Sequence, residues 1–87
     1  MNNKYLWTNH ARKRLTERWE IKESWVIDTI ENPERSEFIV DESGEKYHYY
    51  KRIAKFKNRV LEVITSANST PTRIITFYFN RNMRKNL

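Results

Sequence analysis

The dipeptide Asn32-Pro33 divides this chain into a part with helical periodicity and a part with strand periodicity. A residue that precedes proline disfavours the α-helical conformation, so a helix that reaches Asn32 must end there. Apolar residues at helical spacing precede this point, and β-rich runs separated by turn residues follow it. Helices followed by consecutive strands are typical of an α+β fold.

The part before Pro33 predicts two helices and a short strand. The strand is possible at Lys4–Trp7, and Thr8 or Asn9 can cap the helix that follows. That helix should run to Arg18 or Trp19, and its apolar stripe consists of Ala11, Leu15 and Trp19. The second helix should run from about Lys22 to Glu31, with Val26 and Ile30 one turn apart.

The part after Pro33 predicts four strands, Ser36–Asp41, Glu45–Ala54, Arg59–Ala67 and Arg73–Phe79. Short connections between consecutive strands give an antiparallel meander, and helices can cover one face of such a sheet. The predicted fold is therefore α+β, with two N-terminal helices packed on one face of a four-stranded antiparallel sheet. One domain should span residues 1–87, and residues 80–87 should form a basic tail that is either flexible or a short helix.

The net charge and the cysteine content limit the classes of function that this chain can have. The net charge of +6 favours an anionic partner, which is nucleic acid, an anionic membrane or an acidic protein, although the charge could serve solubility alone. The chain has no cysteine, which excludes disulfides, thiolate metal sites and cysteine nucleophiles. We expect a cytoplasmic protein without a membrane partner, because no apolar run approaches the roughly 20 residues of a membrane span and residues 1–7 lack the apolar region of a signal peptide.

A second stripe on the first predicted helix carries His10, Arg14 and Arg18, spaced one turn apart. His10 lies near the positive end of the helix dipole, which favours the neutral imidazole that can accept a proton. The forked guanidinium groups of the two arginines could hold phosphate oxygens. The alternative is a solvated helix face on which the histidine has no function.

The strand at Glu45–Ala54 alternates rings and cations. One of its faces carries Tyr47, Tyr49 and Lys51, and the other carries His48, Tyr50 and Arg52. Aromatic rings stack on unpaired bases, and cations contact the phosphates of a nucleic acid. The alternative is that tyrosines pack in the core with their hydroxyls at its edge, which must hold for one of the two faces.

The register of this strand decides which residues surround Glu62, which we expect to face out of the core. A hairpin through residues 68–72 would place Tyr78 close to opposite Glu62. A four-residue loop at Lys55–Asn58 would place Lys51 beside Glu62, and a shift by one residue would place Tyr50 there. We favour the second register, because it buries residues 49 and 53 and leaves residues 50 and 52 on the open face.

In the second register the open face holds His48, Tyr50, Arg52, Glu62, Thr76 and Tyr78. Cleavage of RNA by its own 2′-hydroxyl needs a base, an acid and cations for the developing charge. Glu62 or His48 could be the base. Tyr78 or His48 could be the acid. Arg52 and Arg73 could stabilise the phosphorane. The alternative for Glu62 is a cross-strand ion pair, worth about 0.2–1 kcal/mol.

Signatures of other chemistry are missing from the sequence. A single glycine cannot form a glycine-rich phosphate loop, and no nucleophilic serine motif is present. The two histidines, His10 and His48, are far apart in sequence, and there is no HExxH motif. We therefore predict neither a metal site nor a cofactor.

The pattern resembles the small RelE/BrnT-like toxins of bacterial type II toxin–antitoxin systems, and it is closest to a family of uncharacterised BrnT-like domains. The resemblance spans Trp7–Phe79 as scattered positions. It is carried by Thr8-Asn9-His10-Ala11 with Arg14 and Arg18, Asn32-Pro33, Tyr50-Lys51, Arg59-Val60-Leu61-Glu62-Val63 and Arg73-Ile74-Ile75-Thr76-Phe77-Tyr78.

The resemblance implies two helices on a four-stranded antiparallel sheet, cleavage of mRNA that is often bound to the ribosome, and neutralisation by an antitoxin that is usually acidic. In such toxins key cations and a tyrosine often lie in the last strand and the C-terminal segment, where this chain has Arg73, Tyr78, Arg81 and Arg84. His10 with Arg14 looks characteristic of the BrnT-like family. We expect RNA to contact Arg14, Arg18, Tyr50, Lys51, Arg81 and Arg84.

Three hypotheses for the function follow. The first is a metal-independent endoribonuclease toxin. The second is a non-catalytic module of the same fold that binds RNA or the ribosome. The third is a protein-interaction domain whose basic face docks an acidic partner, with an exposed apolar groove that could involve Trp7, Trp19 or Trp25. A DNA-binding role is a further alternative.

Overall fold

A five-stranded mixed sheet and two helices make up the part of the chain that the structure, a computed structural model, describes: residues 4–85 and 87. The helices are α1 (Asn9–Glu17) and α2 (Glu23–Glu31). The strands are β1 (Tyr5–Trp7), β2 (Arg35–Asp41), β3 (Gly44–Ile53), β4 (Arg59–Ser66) and β5 (Thr72–Phe79). The α+β class is therefore confirmed. Among the described residues, neither helix is long and apolar enough to cross a membrane.

The sheet has one strand more than predicted, so a four-stranded, purely antiparallel sheet was wrong. The strand order is β1-β5-β4-β3-β2; β2, β3, β4 and β5 are antiparallel neighbours, whereas β1 runs parallel to β5. Tyr5 pairs with Thr72, and Trp7 pairs with Ile74. The possible strand at the N-terminus is thus real, and it protects part of the edge that β5 would otherwise expose.

Helix α1 lies along the rest of that edge, beyond the point where β1 ends. Thr8 is the N-cap of α1, and its Oγ1 lies 3.1 Å from the carbonyl oxygens of both Ile74 and Ile75. Further along, the Nε of Arg14 donates to the carbonyl oxygen of Phe77 at 3.1 Å. Edge carbonyls need partners, so side chains of α1 and its cap take the place of a neighbouring strand.

The core lies between the helices and one face of the sheet. Its buried apolar cluster consists of Ala11, Ile21, Val26, Ile53, Leu61, Val63, Ile74 and Phe77. In the predicted stripe of α1, Ala11 is buried and Leu15 packs against this cluster, but Trp19 is 83% exposed. The stripe fails there because α1 ends at Glu17, which leaves Trp19 in the following turn and brings Ile21 into the core.

The C-terminal segment, predicted to be either flexible or a short helix, contains a 3-10 helix at Arg81–Met83. The Nη2 of Arg52 on β3 donates to the carbonyl oxygens of Arg84 at 2.9 Å and Leu87 at 3.1 Å. Asn86 lies outside the described residues. The described part of the segment therefore folds back against the sheet, and Arg52 holds it there.

Candidate functional site

Glu62 is at the centre of a cross-strand row on the sheet face that points away from the core. It pairs with Tyr50 on β3 and with Tyr78 on β5. Its chain neighbours Leu61 and Val63 enter the core, and alternation along a strand directs Glu62 to the opposite face. The second register is therefore confirmed, and so is the pairing of Glu62 with Tyr78.

The carboxylate of Glu62 is buried, with 3% of the residue exposed, so the expectation that it lies on an open face was wrong. Tyr50 and Tyr78 flank it on the neighbouring strands. The Nδ2 of Asn80 donates to its Oε1 at 2.8 Å, and its Oε2 lies 2.7 Å from the Nδ1 of His48. Both oxygens of this buried carboxylate therefore have a polar partner, as burial of a polar group requires.

The contact with Glu62 sets the tautomer of His48. An ionised carboxylate only accepts hydrogen bonds, so the Nδ1 of His48 carries a hydrogen and donates it. In the neutral imidazole the Nε2 then keeps its lone pair, which can accept a proton. The side chain of His48 is 16% exposed, so it lies between the buried carboxylate and solvent. The structure thus joins the two residues that the sequence offered as alternative bases.

Tyr50 is buried, contrary to the expectation that Tyr49 and Ile53 would be buried in its place; Ile53 is also buried, but Tyr49 is only half-buried. The hydroxyl of Tyr50 donates to the Oε1 of Glu37 on β2 at 2.7 Å. Burial, this hydrogen bond and the charge of Glu62 raise the pKa of Tyr50. The hydroxyl of Tyr50 is therefore hydrogen-bonded within the protein and stays protonated at neutral pH.

Tyr78, the other neighbour of Glu62 in the row, is half-buried. Burial and then the adjacent Glu62 carboxylate raise the pKa of Tyr78 above its usual value of 10.0. The phenol is therefore fully protonated at neutral pH. Asn80, two residues further along, was missed by the sequence analysis, although alternation from Tyr78 could have placed it on the same face.

His10 reaches the same side of the sheet from the N-terminal turn of α1. Its Nε2 lies 3.1 Å from the Oγ1 of Thr76, and Thr76 precedes Tyr78 on this face of β5. Thr76 pairs with Ile64, which in turn pairs with His48, so Thr76 and His48 lie in one cross-strand row, two strand spacings or about 10 Å apart. Within residues 4–85 and 87, no three His, Cys, Asp or Glu residues are grouped as a metal site requires.

Three of the predicted RNA-binding arginines come together at the end of the sheet where β4 begins and β5 ends. A cavity of about 460 Å³ lies there, lined by Arg18, Arg59, Val60, Phe79, Asn80, Arg81 and Arg84. Arg59 was not among the predicted RNA-binding residues, because a lone cation at the start of a strand carries no pattern. Asn80 separates this cavity from Glu62, to which it is hydrogen-bonded.

Other predicted site residues lie elsewhere or have other partners. Arg73 is exposed, about 17 Å along β5 from Tyr78. Lys51 points to the helix side of the sheet, where its Nζ contacts the Asn32 carbonyl oxygen at 2.8 Å and Asp28 at 3.5 Å. Arg52 holds the C-terminal segment, and Arg14 holds the edge of β5. The structure therefore assembles part of the predicted set around Glu62 and part around the cavity.

Charge is divided between two sides of the fold. Seven of the eleven acidic residues lie in the segment 28–45, which runs from α2 through β2 to the start of β3: Asp28, Glu31, Glu34, Glu37, Asp41, Glu42 and Glu45. The same segment, 28–45, contains one basic residue, Arg35. The rest of the chain has sixteen basic and four acidic residues, and the C-terminal segment beside the cavity contributes Arg81, Arg84 and Lys85 without a carboxylate side chain.

Comparison with known proteins gives one family. A family model described as a domain of unknown function, DUF4258, matches residues 7–79. A search of curated proteins and a search of solved structures return no match. The matched range contains both helices and all five strands, apart from the first two residues of β1.

Proposed function

We propose that this chain, which belongs to the DUF4258 family, is an endoribonuclease that cleaves mRNA by attack of the 2′-hydroxyl, as the toxin of a type II toxin–antitoxin system. The observation that carries the proposal is the contact of His48 with the buried carboxylate of Glu62 at 2.7 Å. An imidazole oriented by a buried carboxylate is a common arrangement of a general base.

In the proposed reaction the Nε2 of His48 takes the proton of a 2′-hydroxyl. The 2′-oxygen attacks the adjacent phosphorus, and the bond between phosphorus and the 5′-oxygen breaks. The products are a 2′,3′-cyclic phosphate and a 5′-hydroxyl, the latter after the leaving oxygen receives a proton. Glu62 stabilises the imidazolium that forms when His48 accepts a proton, because its negative charge lies next to the ring. These steps need no metal.

The proton for the leaving oxygen has two candidate donors. The imidazolium of His48 can return the proton that it has just accepted, or Tyr78 can supply the proton of its phenol. The raised pKa of Tyr78 makes its phenol a weak acid, which favours His48 in both roles. In this account Arg52 is a residue that positions the C-terminal segment and does not itself stabilise the phosphorane.

The proposed partners are RNA, which could be bound to the ribosome, and an acidic antitoxin protein, and the proposed location is the cytoplasm. The support is the resemblance to RelE/BrnT-like toxins and the net charge of +6, to which the C-terminal segment contributes three cations and no acidic side chain. Polyanions and acidic proteins are attracted to a surface of this sign.

The burial of Glu62 also favours a second function, that of a module that binds RNA. Both oxygens of Glu62 have partners, and 3% of the residue is exposed, which is also what a purely structural polar network requires. On that account the protein binds RNA without cutting it. The two functions differ in one respect: only the nuclease needs the Nε2 of His48.

Growth arrest upon induced expression tests the proposal, with His48→Gln as the variant and mapping of new 5′ ends in total RNA. We expect arrest and new ends with the wild-type chain, and neither with His48→Gln at equal amounts of folded protein. The control is Glu42→Gln, which changes an exposed carboxylate in the turn between β2 and β3. Intact RNA in cells that contain wild-type folded protein would rule out the nuclease and favour the binding module.

A further inference from the structure

The cavity at the end of the sheet combines four arginines with an apolar wall. Arg18 comes from the end of α1, Arg59 from the first position of β4, and Arg81 and Arg84 from the C-terminal segment. Val60 and Phe79 supply the apolar part of the lining. Among the described residues that line it there is no acidic side chain.

One carboxylate lies close to this group of cations. The Nε of Arg18 donates to the Oε1 of Glu20 at 2.9 Å. A hydrogen bond from the backbone, then the bond from Arg18 and the charges of Arg18 and Arg59, lower the pKa of Glu20. Arg18 is thus paired with Glu20, whereas Arg59, Arg81 and Arg84 form no salt bridge with the described residues.

The guanidinium groups have more N–H donors than their observed partners use. Arg84 uses Nη2 for the carbonyl oxygen of Lys57 at 3.0 Å, and Arg59 rests over the ring of Phe56 at 5.2 Å. A guanidinium carries five N–H donors, so each of these arginines keeps several. Converging like charges repel one another, and they are stabilised by an anion that accepts several hydrogen bonds at once, as phosphate does.

The size and the wall of the cavity indicate a larger ligand than a free anion. Ligand cavities in proteins have volumes of roughly 300–1,000 Å³, and the volume here is about 460 Å³. The half-buried Phe79, whose ring stacks on Phe56 at a centroid distance of 4.9 Å, is a firmly held apolar surface. Flat aromatic surfaces of this kind are where nucleobases bind.

We propose that this cavity binds the phosphate group of a nucleotide unit, with Arg18, Arg59, Arg81 and Arg84 around the phosphate and Phe79 beside the base. The inference rests on the proposed function for its natural ligand, an RNA strand that passes the cavity before it reaches His48. It adds to that function a binding site that is distinct from the reacting groups, and Asn80 connects the two.

Calorimetric titration with adenosine 5′-monophosphate, adenosine and inorganic phosphate tests the inference on the full chain. We expect the nucleotide to bind at least tenfold more tightly than adenosine, because adenosine lacks the group that the arginines hold, and more tightly than phosphate, which lacks the base. Arg81→Ala should weaken binding of the nucleotide about tenfold, the loss of roughly 1.4 kcal/mol from one charge-assisted pair.

Two further variants distinguish loss of the binding site from loss of folding and from the loss of one positive charge. Arg81→Gln keeps most of the side-chain volume, and we expect it to weaken binding in the same way while the melting temperature stays unchanged. Arg12→Ala removes an equal charge from an exposed position of α1 outside the lining, and we expect it to leave nucleotide binding within twofold.

Equal binding of adenosine and its monophosphate would overturn the inference, and so would equal effects of Arg81→Ala and Arg12→Ala. Phosphate binding as tight as that of the nucleotide would also overturn it, because the base would then contribute nothing. Its failure is distinguishable from that of the proposed function. Cleavage of RNA without nucleotide binding would contradict the nucleotide site alone, and nucleotide binding without cleavage would contradict the nuclease alone.

Discussion

The Nδ1 of His48 lies 2.7 Å from the Oε2 of Glu62, although the two residues are fourteen positions apart in the chain and on neighbouring strands. They are not directly opposite each other, since His48 pairs with Ile64 and Glu62 pairs with Tyr50. The contact therefore runs diagonally across the ladder. Because Glu62 is buried, this contact stabilises the fold and also fixes the proton of the imidazole.

Glu62→Gln should destabilise the protein. A glutamine has the right size, but Asn80 and His48 both present N–H donors to this side chain, and the amide has one acceptor oxygen. The NH2 of the glutamine meets the Nδ1 of His48 only in the other tautomer of the imidazole, and both hydrogen bonds lose the charge of the carboxylate, at a cost of about 1–3 kcal/mol. Urea denaturation measures the loss. The exposed Glu42→Gln serves as the control, with a change of less than about 0.5 kcal/mol; equal effects of the two substitutions would contradict the account.

Tyr50→Phe should change the stability in a pH-dependent way. The Tyr50 hydroxyl, followed by Arg35, lowers the pKa of Glu37 below its usual value of 4.5. A depressed pKa means that the folded state favours the ionised form, so the stabilisation is complete above pH 4.5 and is lost as the pH falls through the folded value.

We expect the wild-type chain to be about 1 kcal/mol more stable than Tyr50→Phe at pH 7, a modest value because Glu37 is partly exposed. The difference should shrink below the usual pKa of Glu37. Denaturation midpoints across the acid range measure it, with Tyr47→Phe on the other face of β3 as the control. A difference that is constant with pH would show that the hydrogen bond to Glu37 is not its source.

Arg52→Ala should release the C-terminal segment. The Nη2 of Arg52 donates to two carbonyl oxygens of that segment, and their loss removes the attachment to β3. We expect the amide of Arg84 to exchange its hydrogen roughly tenfold faster, which corresponds to about 1.4 kcal/mol of local stability. Lys55→Ala, an exposed cation near the end of the same hairpin, should leave the exchange unchanged. Equal exchange in the two variants would exclude Arg52 as the anchor.

Truncation of Phe77 and truncation of Trp19 should change the free energy of unfolding by very different amounts. Phe77 is fully buried and contacts Trp7 edge to face at 6.2 Å, whereas Trp19 is 83% exposed. Phe77→Ala should cost about 3–5 kcal/mol, the usual loss for a large core aromatic residue. Trp19→Ser should change the stability by less than about 0.5 kcal/mol. A large effect at Trp19 in chemical denaturation would contradict its position in the turn after α1.

Periodicity in the sequence was sufficient to predict the helices and the four long strands, because alternation and helical spacing are local properties. The parallel pairing of β1 was not predictable: three residues carry no period, and their partner is more than sixty positions away. The burial of Glu62 was missed for a related reason. Alternation tells which face a side chain takes, but the side chains that close over that face come from other strands.

The register between β3 and β4 depends on the length of the loop between them, which the sequence does not reveal. The hairpin closes at the pair Ile53 and Arg59, so Ala54 belongs to the loop together with the four residues 55–58. A 3-10 helix at Ala54–Phe56 starts this loop, and Lys57 and Asn58 complete it with positive φ angles of 55° and 56°. Asparagine tolerates that conformation, but a lysine there gives no signal in the sequence.

Incubation of purified protein with a defined mRNA in the presence of a chelator, followed by identification of the ends of the products, shows whether His48 is the base of a metal-independent cleavage. The account predicts fragments with 2′,3′-cyclic phosphate and 5′-hydroxyl ends, and a rate at least about a hundredfold lower for His48→Gln, since general base catalysis contributes roughly 10²–10⁴-fold. Intact RNA after incubation with folded protein that binds it would contradict the account, and so would cleavage that His48→Gln leaves unchanged.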